Sequence, residues 1–148
     1  MSILAFASTN YKGFTSATPN EDELEHALSL RLEHANDIEN AASVLRTQLN
    51  CEALLVTRGP KGMLLQAAGR PAYHINAVGA RDPVDVTGAG DTVIAAYTLG
   101  LAVGATFAES AHIANHAGGL VVMKRGTASV SLEELFIIHL QDGVISAR

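Results

Sequence analysis

Tryptophan is absent from these 148 residues, and Phe and Tyr leave the aromatic share at 5%. Single-stranded bases stack on aromatic platforms, so this composition argues against that mode of binding. Basic residues are in deficit: 10 Lys and Arg stand against 15 Asp and Glu, a net charge of −5. Broad affinity for nucleic acid or an anionic membrane is not expected from such a balance. Cys51 is the sole cysteine, which rules out an intramolecular disulfide and a thiolate metal cluster. It is expected to pack as a small apolar residue after a helix ending near Asn50. Long hydrophobic runs are missing too. Ile3-Leu4-Ala5-Phe6-Ala7 is too short to span a bilayer and has no basic segment before it. A cytoplasmic protein without nucleic-acid or membrane partners is the expectation.

What is present suits a globular domain. The chain is 48% hydrophobic and 17% charged, and long enough to bury a substantial core. Short apolar runs predict strands over 3–7, 14–18, 53–57, 63–66 and 71–78, the last with Tyr73, Ile75 and Ala77 alternating. Apolar residues at helical spacing predict helices over 21–32, 38–49, 92–103, 107–122 and 133–140. Asn36 or Asp37 is the expected N-cap of the second. Strands interleaved with helices imply an α/β layered fold, one folding unit with helices on a mostly parallel sheet.

The most informative stretch is Asp85-Val86-Thr87-Gly88-Ala89-Gly90-Asp91. Two glycines precede an apolar-periodic run with Val93, Ala96, Tyr97, Gly100 and Leu101 on one face. Gly88 and Gly90 allow successive N–H groups to converge into an anion-binding nest, and the helix N-terminus behind it adds partial positive charge. Asp91 sits where a carboxylate is favoured and could take a proton from a hydroxyl. An anion cradle beside a base suits phosphoryl transfer to an alcohol. Taken alone, the same residues also describe an ordinary loop-to-helix connection with an acidic first turn.

Three further segments have similar double readings. Thr18-Pro19-Asn20-Glu21-Asp22-Glu23 is a strand end, a proline stop and an Asn-capped acidic helix start. Thr57-Arg58-Gly59-Pro60-Lys61-Gly62 is a glycine turn closing a hairpin, in which Arg58 or Lys61 could neutralise phosphate charge or simply be solvated. Asn115 lies on a helix rich in small residues, ahead of Lys124-Arg125-Gly126-Thr127. None of the 6 histidines has metalloenzyme spacing. His112 and His116, four apart, read as helix residues.

With its flanking Ala95, Ala96 and Tyr97, the 85–91 segment resembles the C-terminal signature of the ribokinase-like (PfkB-type) carbohydrate kinases. The resemblance implies a ribokinase-like α/β fold and ATP-dependent phosphoryl transfer to a sugar hydroxyl. It implies Asp91 as the base, with the amides of Gly88, Ala89 and Gly90 stabilising the transferring group. Asn20 and Glu23 match the family's Asn-x-x-Glu element, which organises Mg²⁺ through water. Thr57, Gly59 and Gly62 match a turn along the nucleotide phosphates. Asn115 and Gly126 correspond to the adenine pocket. Asp85, Thr87 and carbonyls near Gly126 resemble a monovalent-cation site, implying K⁺.

Within the family the likeness is strongest to the heptose-7-phosphate kinases, the kinase half of bacterial ADP-heptose synthases. It is carried by Tyr11-Lys12-Gly13, Thr18-Pro19-Asn20, Leu55-Val56-Thr57-Arg58, Gly62-Met63, the 85–94 run and the segment 126–131. It reaches from about Tyr11 onward and matches only the C-terminal half of a family about twice this length. Residues 1–10 depart from the Asp-Pro-Lys element expected before Tyr11. The expectation is therefore a single C-terminal nucleotide-binding and catalytic portion, residues 1–148. It would self-associate or pair with a missing N-terminal half holding most of the sugar site. A non-catalytic nucleotide-binding or subunit-interaction module is the alternative.

Overall fold

The computed structural model describes residues 14–34, 36–79, 84–126 and 128–141. The backbone divides into two compact units, residues 1–75 and 76–148. The expected strand over 3–7, the Tyr11-Lys12-Gly13 motif and Thr127 lie outside the described residues.

The first unit runs β1 (Ser16–Ala17), α1 (Glu21–Leu28), α2 (Asp37–Leu49), β2 (Ala53–Thr57), a 3₁₀ turn (Gly59–Lys61), β3 (Met63–Ala67) and β4 (Tyr73–Ile75). These four strands form one sheet in the order β1-β2-β3-β4. The α/β class is as expected, but the sheet is not mostly parallel among the described residues. Only β1 and β2 run parallel, whereas β2–β3 and β3–β4 are antiparallel. Connection length is the reason: a tight turn can join only antiparallel neighbours, and a parallel pair needs a crossover. Between β1 and β2 that crossover is α1 and α2.

Leu54, Val56 and Leu64 of the sheet meet Leu24 of α1 and Ile38, Ala41, Ala42, Leu45 and Leu49 of α2 in one apolar cluster. Cys51 joins it at 3% exposure, after the Asn50 C-cap, as expected. Burial raises the pKa of its thiol. Helix α1 stops at Leu28, short of the expected 32, because Ser29 turns left-handed at φ 52°. Glu25 takes up the chain beyond, its carboxylate accepting from the Leu32 N–H at 2.8 Å. Asn36 is the N-cap of α2 by position but makes no side-chain capping bond. Asp37 instead reaches backward, accepting from the N–H groups of Glu33 and His34. The 71–78 strand shrinks to three edge residues, with Ile75 buried and Tyr73 45% exposed.

The second unit is helical: α3 (Ala89–Ala102), α4 (Phe107–Val121) and α5 (Leu132–Gln141). Small residues bring α3 and α4 close. A Cβ on Gly100 would lie 2.7 Å from Ser110 Oγ, and one on Gly118 would lie 2.9 Å from Val93. Val93, Ala96, Tyr97 and Gly100 form the buried face of α3. His116 is buried, its Nδ1–H donating to the His112 carbonyl at 2.7 Å, which suits a helix residue. Thr106 and Glu109 cap α4 reciprocally. No helix among the described residues is long and apolar enough to cross a membrane.

Ser131 and Glu134 exchange hydrogen bonds at the start of α5, and Glu134 pairs with Lys124 at 2.8 Å. The Lys124 ammonium, helped by the Ser131 N–H, holds the Glu134 carboxyl down at about 2 against an ordinary 4.5. A depressed folded-state pKa gives stability that is complete above the unfolded value and lost as pH falls through the folded one. This contribution should therefore fade between pH 4.5 and about 2. Carboxyl NMR should place the Glu134 midpoint near the lower figure, and Lys124→Met should move it upward. A midpoint indifferent to Lys124→Met would contradict the assignment.

Candidate functional site

In the first unit the chain brings two of the predicted segments together. The Thr57 N–H donates to the Pro19 carbonyl at 2.8 Å, and Thr57 forms an isolated parallel bridge with Asn20. Asn20 and Glu23 make a capping box: Asn20 Oδ1 accepts from the Glu23 N–H at 2.7 Å, and Glu23 Oε2 accepts from the Asn20 N–H at 3.0 Å. The end of β2 thus lies beside the start of α1. Beyond Thr57 the turn is closed by bonds from Arg58 N to the Gly62 carbonyl and from Gly62 N to the Gly59 carbonyl. Gly59 and Gly62 both have positive φ, 54° and 89°.

Glu21 has no role in the sequence reading, yet it binds both cations of this turn. Arg58 Nε donates to Glu21 Oε1 at 2.8 Å and Lys61 Nζ to Oε2 at 3.2 Å. Burial pushes the Glu21 carboxyl up, but the bonds from Arg58 and Lys61 outweigh it and leave the pKa below its ordinary value. Neither cation is simply solvated. The partners are 37 and 40 residues apart, so no local spacing announces the pairing.

In the second unit Asp85, Thr87, Gly88 and Gly126 come together. Asp85 Oδ1 accepts from the Thr87 N–H at 2.9 Å and Oδ2 from the Gly126 N–H at 3.0 Å. The Thr87 main chain, then its hydroxyl, then the Gly126 N–H lower the Asp85 pKa. The N–H groups of Val84 and Asp85 both donate to the Val122 carbonyl, clasping this loop to the end of α4.

Gly88 follows as the N-cap of α3 at φ 78°, ψ 1°. A side chain is strained in that left-handed conformation, and glycine is not. The helix therefore begins at Ala89, earlier than the expected 92, and Asp91 lies in its first turn, exposed. The Ala89 N–H donates to the Val86 carbonyl at 3.2 Å. Of the three amides expected to converge, that of Ala89 is thus engaged in closing the turn. A Cβ on Gly90 would meet nothing within 4 Å.

Asn115 is placed apart from this loop in its bonding. It is 4% exposed, and its Nδ2 donates to the Asn76 carbonyl at 2.7 Å. Among the described residues no group of three or more His, Cys, Asp and Glu could hold a metal ion by itself. Magnesium does not need one, since it retains much of its water and uses one or two carboxylates together with substrate phosphates.

Comparison with known proteins places this geometry. The chain is 46% identical over 125 residues to the bifunctional protein HldE of Citrifermentans bemidjiense, covering 84% of this chain and 26% of that protein. It is 48% identical over 132 residues to the HldE of Methylococcus capsulatus, covering 88% and 28%. The chain thus spans about a quarter of the length of these curated relatives. In structure it resembles Escherichia coli phosphofructokinase-2 in complex with potassium, with a TM-score of 0.80 at 23% identity over 88% of this chain and 41% of that one. Arabidopsis thaliana ribokinase complexed with ribose and ATP gives 0.78 at 26% identity, over 86% and 41%. The pfkB carbohydrate kinase family model matches residues 8–135, the two glycine turns included. The ribokinase-like expectation is met, and this chain belongs to the pfkB family of carbohydrate kinases.

Proposed function

We propose that residues 1–148 form the C-terminal nucleotide-binding and catalytic portion of an ATP-dependent kinase. It would phosphorylate a hydroxyl of a sugar or sugar phosphate, most like heptose 7-phosphate. The observation that carries the reading is the left-handed Gly88 turn opening α3, with Asp91 exposed in its first turn. The HldE relatives and the resemblance to heptose-7-phosphate kinases support the substrate class. The nucleotide and the sugar are the proposed partners, along with the rest of a kinase or a second copy. A cytoplasmic location goes with this reading.

In the proposed reaction the Asp91 carboxylate accepts the proton of the attacking hydroxyl, whose oxygen bonds the γ-phosphorus as the bond to the departing ADP oxygen breaks. The Gly88 and Gly90 N–H groups donate to oxygens of the transferring phosphoryl group. Ala89 shapes the turn through its bond to Val86. Thr57, Gly59 and Gly62 follow the phosphate chain. Gly126 borders the adenine pocket, and Asn115 supports it by fixing the Asn76 loop. Asn20 and Glu23 offer hard oxygen donors suited to magnesium-bound water, because a carboxylate oxygen bonded to one N–H retains further lone pairs. Asp85 and Thr87 would hold K⁺ with the same kind of donor. Bound Mg²⁺ would supply charge neutralisation between phosphate oxygens.

Calorimetry with ATP and ADP in Mg²⁺ tests the cradle. The chain should bind weakly, and Gly90→Val should lower affinity by about tenfold or more, at an outlay of at least 1.4 kcal/mol. A Cβ at Gly90 meets nothing of the protein within 4 Å, so the added side chain extends into the ligand's room. Equal affinities for the two proteins, or none for either when folded, would count against the reading. Binding that never leads to phosphotransfer on a sugar-phosphate panel, with the rest of a kinase supplied, would favour the non-catalytic module.

A further inference from the structure

Both cations of the Arg58–Gly62 turn lie on one carboxylate, but they are held differently. The Arg58 side chain is 16% exposed at 2.8 Å from Glu21, whereas that of Lys61 is 62% exposed at 3.2 Å. A planar guanidinium seated among neighbours is preorganised, while an exposed ammonium on a flexible stem gains little from its ion pair. If Lys61 leaves, Glu21 retains Arg58. If Arg58 leaves, a partly buried carboxylate loses its better-shielded partner, which is the costlier exchange. The turn is closed by its own main-chain bonds, Arg58 N to Gly62, Lys61 N to Arg58 and Gly62 N to Gly59, so moving the Lys61 side chain need not open it.

We infer that Lys61 is the releasable cation of this turn, passing from Glu21 to the phosphate chain of a bound nucleotide, while Arg58 stays on Glu21 as the fixed strut. The inference rests on the reading of Thr57, Gly59 and Gly62 as a nucleotide-phosphate turn. It assigns the two cations opposite duties: Arg58 positions the turn, and Lys61 touches the ligand.

Two measurements on the full chain test it. Thermal unfolding without ligand, in double-mutant cycles of Glu21→Gln with Arg58→Gln and with Lys61→Gln, should give stronger coupling for Arg58 than for Lys61. Calorimetry with ATP at low salt should show Lys61→Gln weakening binding roughly fivefold, with Lys61→Arg restoring most of it. The loss should shrink as salt is raised and be absent for adenosine, which has no phosphate. A merely structural lysine would affect adenosine and ATP alike. Stronger coupling to Lys61 than to Arg58, or unchanged ATP affinity in Lys61→Gln, would overturn the inference while leaving the nucleotide reading intact. A folded wild-type chain that binds no adenine nucleotide would defeat the nucleotide reading, and this inference with it.

Discussion

Asp91→Asn should lower the turnover of a complete kinase carrying this segment by about 10²–10⁴-fold, the usual cost of losing a general base. Asparagine keeps the size of the side chain and its place in the first turn of α3, but cannot accept the hydroxyl proton. Nucleotide affinity should hold or rise slightly, because a carboxylate no longer faces the phosphates. The competing account makes Asp91 only an acidic residue complementing the helix dipole. That role is worth about 0.3–1 kcal/mol of stability and predicts no comparable loss of rate. The two accounts therefore differ in what moves: rate in one, melting temperature in the other. The assay belongs in a full-length kinase containing these residues, or with the remaining portion supplied in trans. Turnover largely retained in Asp91→Asn would leave Asp91 as a helix-start residue and nothing more.

The parts of this fold legible in the sequence are those decided by neighbouring residues. The apolar run Ala53–Thr57 became β2 with the expected bounds, since a strand buried on both faces needs no alternation. Gly88 marked a helix start because left-handed backbone there favours glycine, whereas Gly90 already lies within α3. The Thr106-x-x-Glu109 and Ser131-x-x-Glu134 capping boxes were equally readable signals that the helix assignments did not use. Elsewhere periodicity misled. Leu32 packs against the core, so the apolar pattern continues past the point where Ser29 ends α1. The hairpin read at the 57–62 turn is the antiparallel β2–β3 pair, but the alternation of strands and helices suggested parallel pairing for most of the sheet. What local sequence could not show is tertiary partnership. Glu21 with Arg58 and Lys61, and Asn115 with Asn76, join residues 35 or more apart through side chains that would suit many other partners.

The packing of α4 gives the other large expected effect. Gly119→Ala should destabilise the protein by about 1–3 kcal/mol, the range for overfilling a well-packed site. A Cβ at Gly119 would lie 2.2 Å from the Val78 carbonyl oxygen and 2.9 Å from its carbon. Both atoms are main chain, so no rotamer change relieves the overlap and the 76–79 segment must shift. That segment is tied to the same helix one turn earlier, where Asn115 binds the Asn76 carbonyl at 2.7 Å. Alanine would ordinarily favour a helix over glycine by about 1 kcal/mol, a gain that opposes the clash without cancelling it. Gly90→Ala supplies the control, since its Cβ meets nothing within 4 Å and only the propensity gain applies. Thermal unfolding should show Gly119→Ala melting several degrees lower, at about 2–4 °C per kcal/mol, and Gly90→Ala unchanged or higher. If both substitutions raise the melting temperature, the 76–79 segment yields freely and the close approach at Gly119 does not constrain the helix.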